Sequence, residues 1–200
     1  WYNQAIAVNP LNPDIVWVGG GETDIRGNTS HGDGLWKTTD GGRTWQMLGF
    51  KEEYISTIRI HPTNPSVAYI GVFGDVFKAT SNRGVYKTTD GGKTFSKVLF
   101  VNDSSGVIDI AMDVTNPEIL YVAMWQAWRA PWGMSSGGLH SGLYKTTDGG
   151  ATWSNLVKTA KGLPQGNIGK IGLTVSPVNP QLVWALIEHD SGGVYKSNDG

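Results

Sequence analysis

Two hundred residues carry 28 Gly, 9 Trp and no Cys at a net charge of -1; the length suffices for one sizeable core, and disulfides, thiolate nucleophiles and cysteine zinc sites are excluded. No run of Lys and Arg supplies the basic stripe that a nucleic-acid binder needs, and no apolar run is long enough to span a bilayer. The abundance of glycine and aromatics points to short strands joined by tight turns.

In chain order, the first unit opens with Ala5-Ile6-Ala7-Val8, turns at Asn12-Pro13 and continues in a second apolar run over 15–18. A loop over 20–33 leads to Gly34-Leu35-Trp36-Lys37, then to a turn at Asp40-Gly41-Gly42, and Trp45 opens a last short run. The same order returns around Asn64-Pro65 and Asp90, around Asn116-Pro117 and Asp148, and around Asn179-Pro180 and Asp199. The four aspartates are spaced by 50, 58 and 51 residues. Each has a lysine three residues before it (Lys37, Lys87, Lys145, Lys196) and an aromatic four before it (Trp36, Tyr86, Tyr144, Tyr195).

Runs of four to six residues rich in β-branched and aromatic side chains, bounded by turn residues, predict strands. No segment shows a helical period. Four antiparallel strands, A to D, per unit of about 50 residues is the pattern of a propeller blade. The expected fold is therefore all-β: a β-propeller fragment of three nearly complete four-stranded antiparallel blades plus most of a fourth. The blades fall at approximately 1–50, 51–102, 103–160 and 161–200. The chain opens on Trp1 without a Met and closes inside a motif, so it reads as a piece of a longer protein whose further blades are its first partners.

This register separates two faces. The A-to-B and C-to-D turns repeat and share one face. The B-to-C loops vary, at 20–33, about 74–83, 125–141 and 188–192, and share the other, where specificity is expected. A recurrent Asp suits a scaffold better than an active site, because Asp and Ser/Thr side chains accept hydrogen bonds from nearby amides in tight turns. Asp40, Asp90, Asp148 and Asp199 are read as structural, with Trp45, Phe95 and Trp153 burying apolar surface between sheets.

The block Thr38-Thr39-Asp40-Gly41-Gly42-Arg43-Thr44-Trp45 resembles the Asp-box, or bacterial neuraminidase repeat. Residues 146–153 match it at every position, and 88–95 carry Phe95 in place of Trp. Three further segments resemble the sortilin-like propellers of large bacterial exported proteins, a group often labelled glycosyl hydrolase: Gly19-Gly20-Gly21-Glu22-Thr23-Asp24, Ala123-Met124-Trp125-Gln126 and Arg129-Ala130-Pro131-Trp132. This is the closest resemblance seen in the sequence. It implies a noncatalytic recognition or scaffold module of an exported protein, placed extracellularly, in the periplasm or at the cell surface. The ligand would be a protein, peptide or glycan.

The ligand surface is expected on the third loop, where Trp125, Trp128 and Trp132 accompany Arg129 and His140; Trp stacks on sugar rings or anchors protein partners. The same aromatics could instead pack the loop onto its own blade. The alternative is a glycoside hydrolase, xyloglucanase-like or sialidase-like, completed by blades outside this chain. A xyloglucanase-like site needs two facing carboxylates, for which Glu22 and Asp24 are the candidates; a sialidase needs three convergent arginines. His31, His140 and His189 occupy three different loops and are read as isolated polar residues, so no metal and no cofactor is expected.

Overall fold

The computed structural model describes residues 3–26 and 28–200. Four antiparallel sheets follow one another along the chain. The first holds β1 (Asn3–Val8), β2 (Val16–Gly20), β3 (Leu35–Thr38) and β4 (Gln46–Gly49) in sequential order. The second repeats it with β5 (Ile55–Ile60), β6 (Ala68–Val72), β7 (Gly84–Thr88) and β8 (Ser96–Leu99). The third holds β9 (Ser105–Met112), β10 (Leu120–Ala130), β11 (Gly133–Ser136), β12 (Gly142–Thr146) and β13 (Ser154–Asn155). A single helical turn, α1 (Leu156–Thr159), precedes the last sheet of β14 (Ile171–Val175), β15 (Val183–Ile187) and β16 (Gly193–Ser197). The architecture is an all-β, unclosed, propeller-like row of four sheets, with β1, β5, β9 and β14 packed side by side in succession.

Both turns that punctuate the repeat have a local cause. At Asn-Pro, the carbonyl of Asn12, Asn64, Asn116 or Asn179 accepts from the amide three residues on, at 2.9–3.1 Å. Proline sits at the second turn position, where its fixed φ is preorganised. In the Asp turn, Thr38 Oγ1 donates to Asp40 Oδ1 at 2.7 Å and accepts from the Gly42 amide at 2.9 Å. Thr44 then donates its amide to Oδ1 at 2.9 Å and its hydroxyl to Oδ2 at 2.6 Å. The pattern recurs at Asp90 and at Asp148. Both glycines of each complete turn hold positive φ, 71° at Gly41 and 91° at Gly42, which only glycine adopts without strain.

The turns tie each sheet's two ends together. Gly41, Gly91, Gly149 and Gly200 donate to the carbonyls of Asp14, Ser66, Glu118 and Gln181 at 2.9–3.0 Å, so the Asn-Pro and Asp turns share one face. On the opposite face the variable loops interlock. Phe73 donates to the Tyr54 carbonyl, Thr80 to that of Asp103, and Gly169 and Glu188 to the carbonyls of Glu188 and Lys170.

Burial follows the stacking. Leu120, Val122 and Met124 pack toward the second sheet with Tyr69 and Val85, while Ala123, Trp125 and Ala127 pack toward the fourth with Ile171 and Ala185. A strand covered on both faces loses its alternation and reads as continuously apolar, as β10 does over 120–125.

Three details depart from the sequence reading. The third variable segment is a β-hairpin rather than a loop: β10 runs on to Ala130 and pairs with β11 from Ala127↔Ser136 to Ala130↔Gly133. The helical turn α1 is capped by Asn155, whose side chain accepts from the Val157 amide, and four residues are too few to show a period. Trp45 is 43% exposed, whereas its counterparts Phe95 and Trp153 pack on the preceding sheet beside Phe50 and Val98; no sheet among the described residues lies on that side of Trp45.

Candidate functional site

The variable face is built around the 21–33 loop. Glu22 sits at its base with a side chain only 7% exposed, ion-paired to Arg26 and accepting from the Ser30 amide at 3.2 Å. Thr23 is pinned to Gln4, its hydroxyl donating to Oε1 at 2.7 Å. Between these anchors Asp24 projects outward, its side chain 68% exposed, and its Oδ1 meets the ammonium of Lys170 from the loop before β14. The sequence treated Glu22 and Asp24 as equivalent loop carboxylates. Their environments differ sharply, because one closes the loop on itself and the other stands on the surface.

Lys170 organises the neighbouring groups. Its amide donates to Glu188 Oε2 at 2.7 Å, and Ser136 donates to the same oxygen at 2.8 Å. Trp125 Nε1 donates to Ser136 at 3.0 Å, and the Lys170 ammonium lies 5.7 Å from the Trp125 ring centroid. One polar chain thus runs from the first sheet's loop, through the fourth sheet, to the hairpin of the third. Beneath it Tyr54 is fully buried, with no hydrogen-bond partner at its hydroxyl among the described residues. Burial pushes that phenol up to about 12, with Asp75 and Glu22 adding to the shift. Neither Lys170 nor Tyr54 was singled out by sequence, because both lie outside the repeated motifs and outside the B-to-C loops from which the candidates were drawn.

The hairpin divides the residues expected to bind a ligand. Trp125 is 3% exposed and packs against Phe73, so it belongs to the core and not to the surface. Arg129 is committed to structure: its amide donates to the Val76 carbonyl at 2.9 Å, Nη1 to Gly133 at 2.6 Å and Nε to Arg26 at 3.2 Å. Trp128 is partly exposed, and Trp132 at the hairpin tip is 90% exposed. His140 lies exposed beyond β11, with its amide held by Gln126 Oε1 at 3.3 Å.

The other arrangements weighed from the sequence do not assemble. Arg83 is buried, donates to the Asp75 carbonyl at 2.6 Å and is lowered to about 10 by that burial. Arg59 pairs with Asp109 at 3.3 Å. With Arg26 on Glu22 and Arg129 in the hairpin, these side chains form no sialidase-like triad. His31 packs on Phe77 with ring centroids 5.8 Å apart, while His189 contacts Ser191 and the Gln165 carbonyl. Among the described residues no group of three or more His, Cys, Asp or Glu side chains is placed to hold a metal ion. No helix among them is long and apolar enough to cross a membrane.

Comparison with known proteins places this geometry. Residues 33–168 match the Sortilin-Vps10 family model, described as sortilin, neurotensin receptor 3. A probable oligoxyloglucan-reducing end-specific xyloglucanase of Neosartorya fischeri is 25% identical over 227 residues, covering 98% of this chain and 26% of that protein. The GH74 xyloglucanase of Xanthomonas campestris superposes with a TM-score of 0.69 at 17% identity, covering 98% of this chain and 28% of that one. The GH74 enzyme of Niastella koreensis does so with a TM-score of 0.67 at 25% identity, again over 98% and 28%. The chain therefore spans about a quarter of the length of these relatives.

These findings correct the expected kinship and role. GH74 enzymes and a probable xyloglucanase match over 98% of this chain, so the likeness is not specifically to sortilin-like Asp-box propellers of exported proteins. The noncatalytic recognition module expected on that basis is overturned with it, because the Neosartorya and Xanthomonas proteins, each matched over 98% of this chain, are named as xyloglucanases.

Proposed function

We propose that this chain, which belongs to the Sortilin-Vps10 family, forms part of a glycoside hydrolase that cleaves a xyloglucan-type polysaccharide. The reading rests on the whole-chain likeness to GH74 enzymes. What carries it at the site is Asp24, a carboxylate held out from the variable face by anchored neighbours.

Glycosidic cleavage takes two carboxylates, one protonating the leaving oxygen and one acting as base or nucleophile. Asp24 supplies one of them in this proposal. Glu22 does not, since both its oxygens serve the loop. Glu188 does not, since Oε2 already accepts from Lys170 and Ser136. The second carboxylate comes from the part of the hydrolase outside this chain. Trp128 and Trp132 offer rings on which sugars stack, with His140 at the rim. Trp125 and Arg129 support them by holding the hairpin. We take residues 1–200 as one partial propeller with blades near 1–50, 51–102, 103–160 and 161–200. A polysaccharide substrate places it outside the cell, in the periplasm or on the cell surface.

The test is release of reducing ends from xyloglucan oligosaccharides by the full-length protein. Asp24→Asn should lower kcat/KM by about 10²–10⁴, while Glu22→Gln should lower stability and leave the folded enzyme active. Wild-type rates in Asp24→Asn, or no cleavage by the wild type, would overturn the assignment.

A further inference from the structure

Lys170 is fixed from several directions. Its amide donates to Glu188 Oε2 at 2.7 Å, and its carbonyl accepts from the Glu188 amide at 2.9 Å. The Gly169 amide donates to the Glu188 carbonyl at 2.8 Å. This clamp needs glycine at 169, because an added Cβ would stand 2.3 Å from Glu188 Oε2. Glu188 is held in turn by the Ser136 hydroxyl at 2.8 Å, and Ser136 by Trp125 Nε1 at 3.0 Å. Trp125 is itself buried. The Lys170 ammonium sits over its ring, 5.7 Å from the centroid, and attraction to the aromatic face gives the flexible stem a direction. The ammonium so placed meets Asp24 Oδ1.

Asp24 stands on a loop whose backbone is anchored on its own account. Thr23 is tied to Gln4, and Glu22 to Arg26 and the Ser30 amide. These contacts set where the Asp24 backbone lies. They do not set its two side-chain torsions, and Lys170 is the group that meets the carboxylate. An exposed ion pair normally contributes little, because ordering two flexible side chains offsets the attraction. Here one partner is ordered beforehand by Glu188, Ser136 and Trp125, so the contact has only the aspartate left to order. The effect on a reaction exceeds the effect on stability, since a misplacement of about 1 Å can lower a rate by about 10².

We propose that Lys170 is a positioning residue for the Asp24 carboxylate, and that Glu188 acts on the same carboxylate through Lys170. The inference rests on the hydrolase reading, in which Asp24 is one of the two carboxylates. It brings the third and fourth sheets into a site whose reacting group belongs to the first.

The experiment measures reducing-end release from xyloglucan oligosaccharides by the full-length protein, with kcat and KM separated. Lys170→Met keeps a stem and removes the charge. Its kcat should fall about 10–10²-fold with KM within about twofold, because the orientation of Asp24 matters at the transition state and not in sugar binding. Lys170→Arg returns a cation and should recover most of the loss. Glu188→Ala should lower kcat by a similar factor. The double variant with Lys170→Met should be no slower than Lys170→Met alone, since both changes act on one carboxylate. Circular dichroism checks the fold; if Glu188→Ala unfolds, Ser136→Ala, which loosens the same clamp, takes its place. An unchanged kcat in Lys170→Met, a loss carried by KM alone, or no recovery in Lys170→Arg overturns the role of Lys170. Losses that add in the double variant overturn the action of Glu188 through it. Failure of the hydrolase reading looks different: the wild type then cleaves nothing, or Asp24→Asn keeps the wild-type rate, and the inference falls with it.

Discussion

Asp40 keeps its proton affinity low through its own turn. The hydroxyl and amide of Thr44, then the hydroxyl of Thr38, stabilise the charged form and hold the carboxyl at about 2, against an ordinary value of 3.8. Asp90 and Asp148 are depressed in the same direction by Thr94 and Thr152. A carboxyl depressed by folding contributes its stability above the unfolded value and loses it as pH falls through the folded one. The melting temperature should therefore be flat above about pH 4 and fall progressively toward pH 2. Asp40→Asn should melt lower than the wild type at neutral pH and show a shallower fall between those limits. Thermal scans across that range decide it; an unchanged slope would show that the turn is not linked to protonation. The hydrogen bonds of these aspartates were legible because their partners are local, within four residues. The difference between Glu22 and Asp24 was not, because exposure depends on Gln4 and Lys170, the latter 146 residues from Asp24.

The β10–β11 hairpin is the element in which sequence and structure part most. Three tryptophans marked the segment, but tryptophan content alone does not tell an inward ring from an outward one. Strand pairing does: Trp125 pairs with Gly106 on β9 and faces inward with Ala123 and Ala127, and Trp132 lies beyond the last pair, Ala130↔Gly133. Trp125→Ala should cost about 3–5 kcal/mol, from lost burial and the cavity left between the third and fourth sheets. Trp132→Ala should stay within about 0.5 kcal/mol, since it removes no packed atoms. Urea unfolding of the two variants separates the core ring from the surface ring, and equal effects would place them wrongly.

At the scale of the molecule, the repeat made the row of sheets and its two faces readable, because each junction reuses the same register. Removing one junction lysine should show its share. Lys87 donates across to the Gly149 carbonyl of the next sheet at 2.9 Å, so Lys87→Met removes a charged donor and should cost about 1–3 kcal/mol, whereas Lys196→Met should cost almost nothing. Equal losses in chemical unfolding would mean that the lysines act through their own sheet and not across the junction. What no period announces is the pair of contacts that skip neighbours: Asp24 with Lys170, and Arg129 donating to the Arg26 carbonyl. A stack held only by adjacent junctions behaves as a one-dimensional array that can fray from either end. The ion pair closes 146 residues of chain and cannot reward that closure until the sheets between are stacked. It is therefore the last tie to form and the first to release, and salt, which weakens an exposed ion pair, loosens the two ends of the row before it touches any sheet.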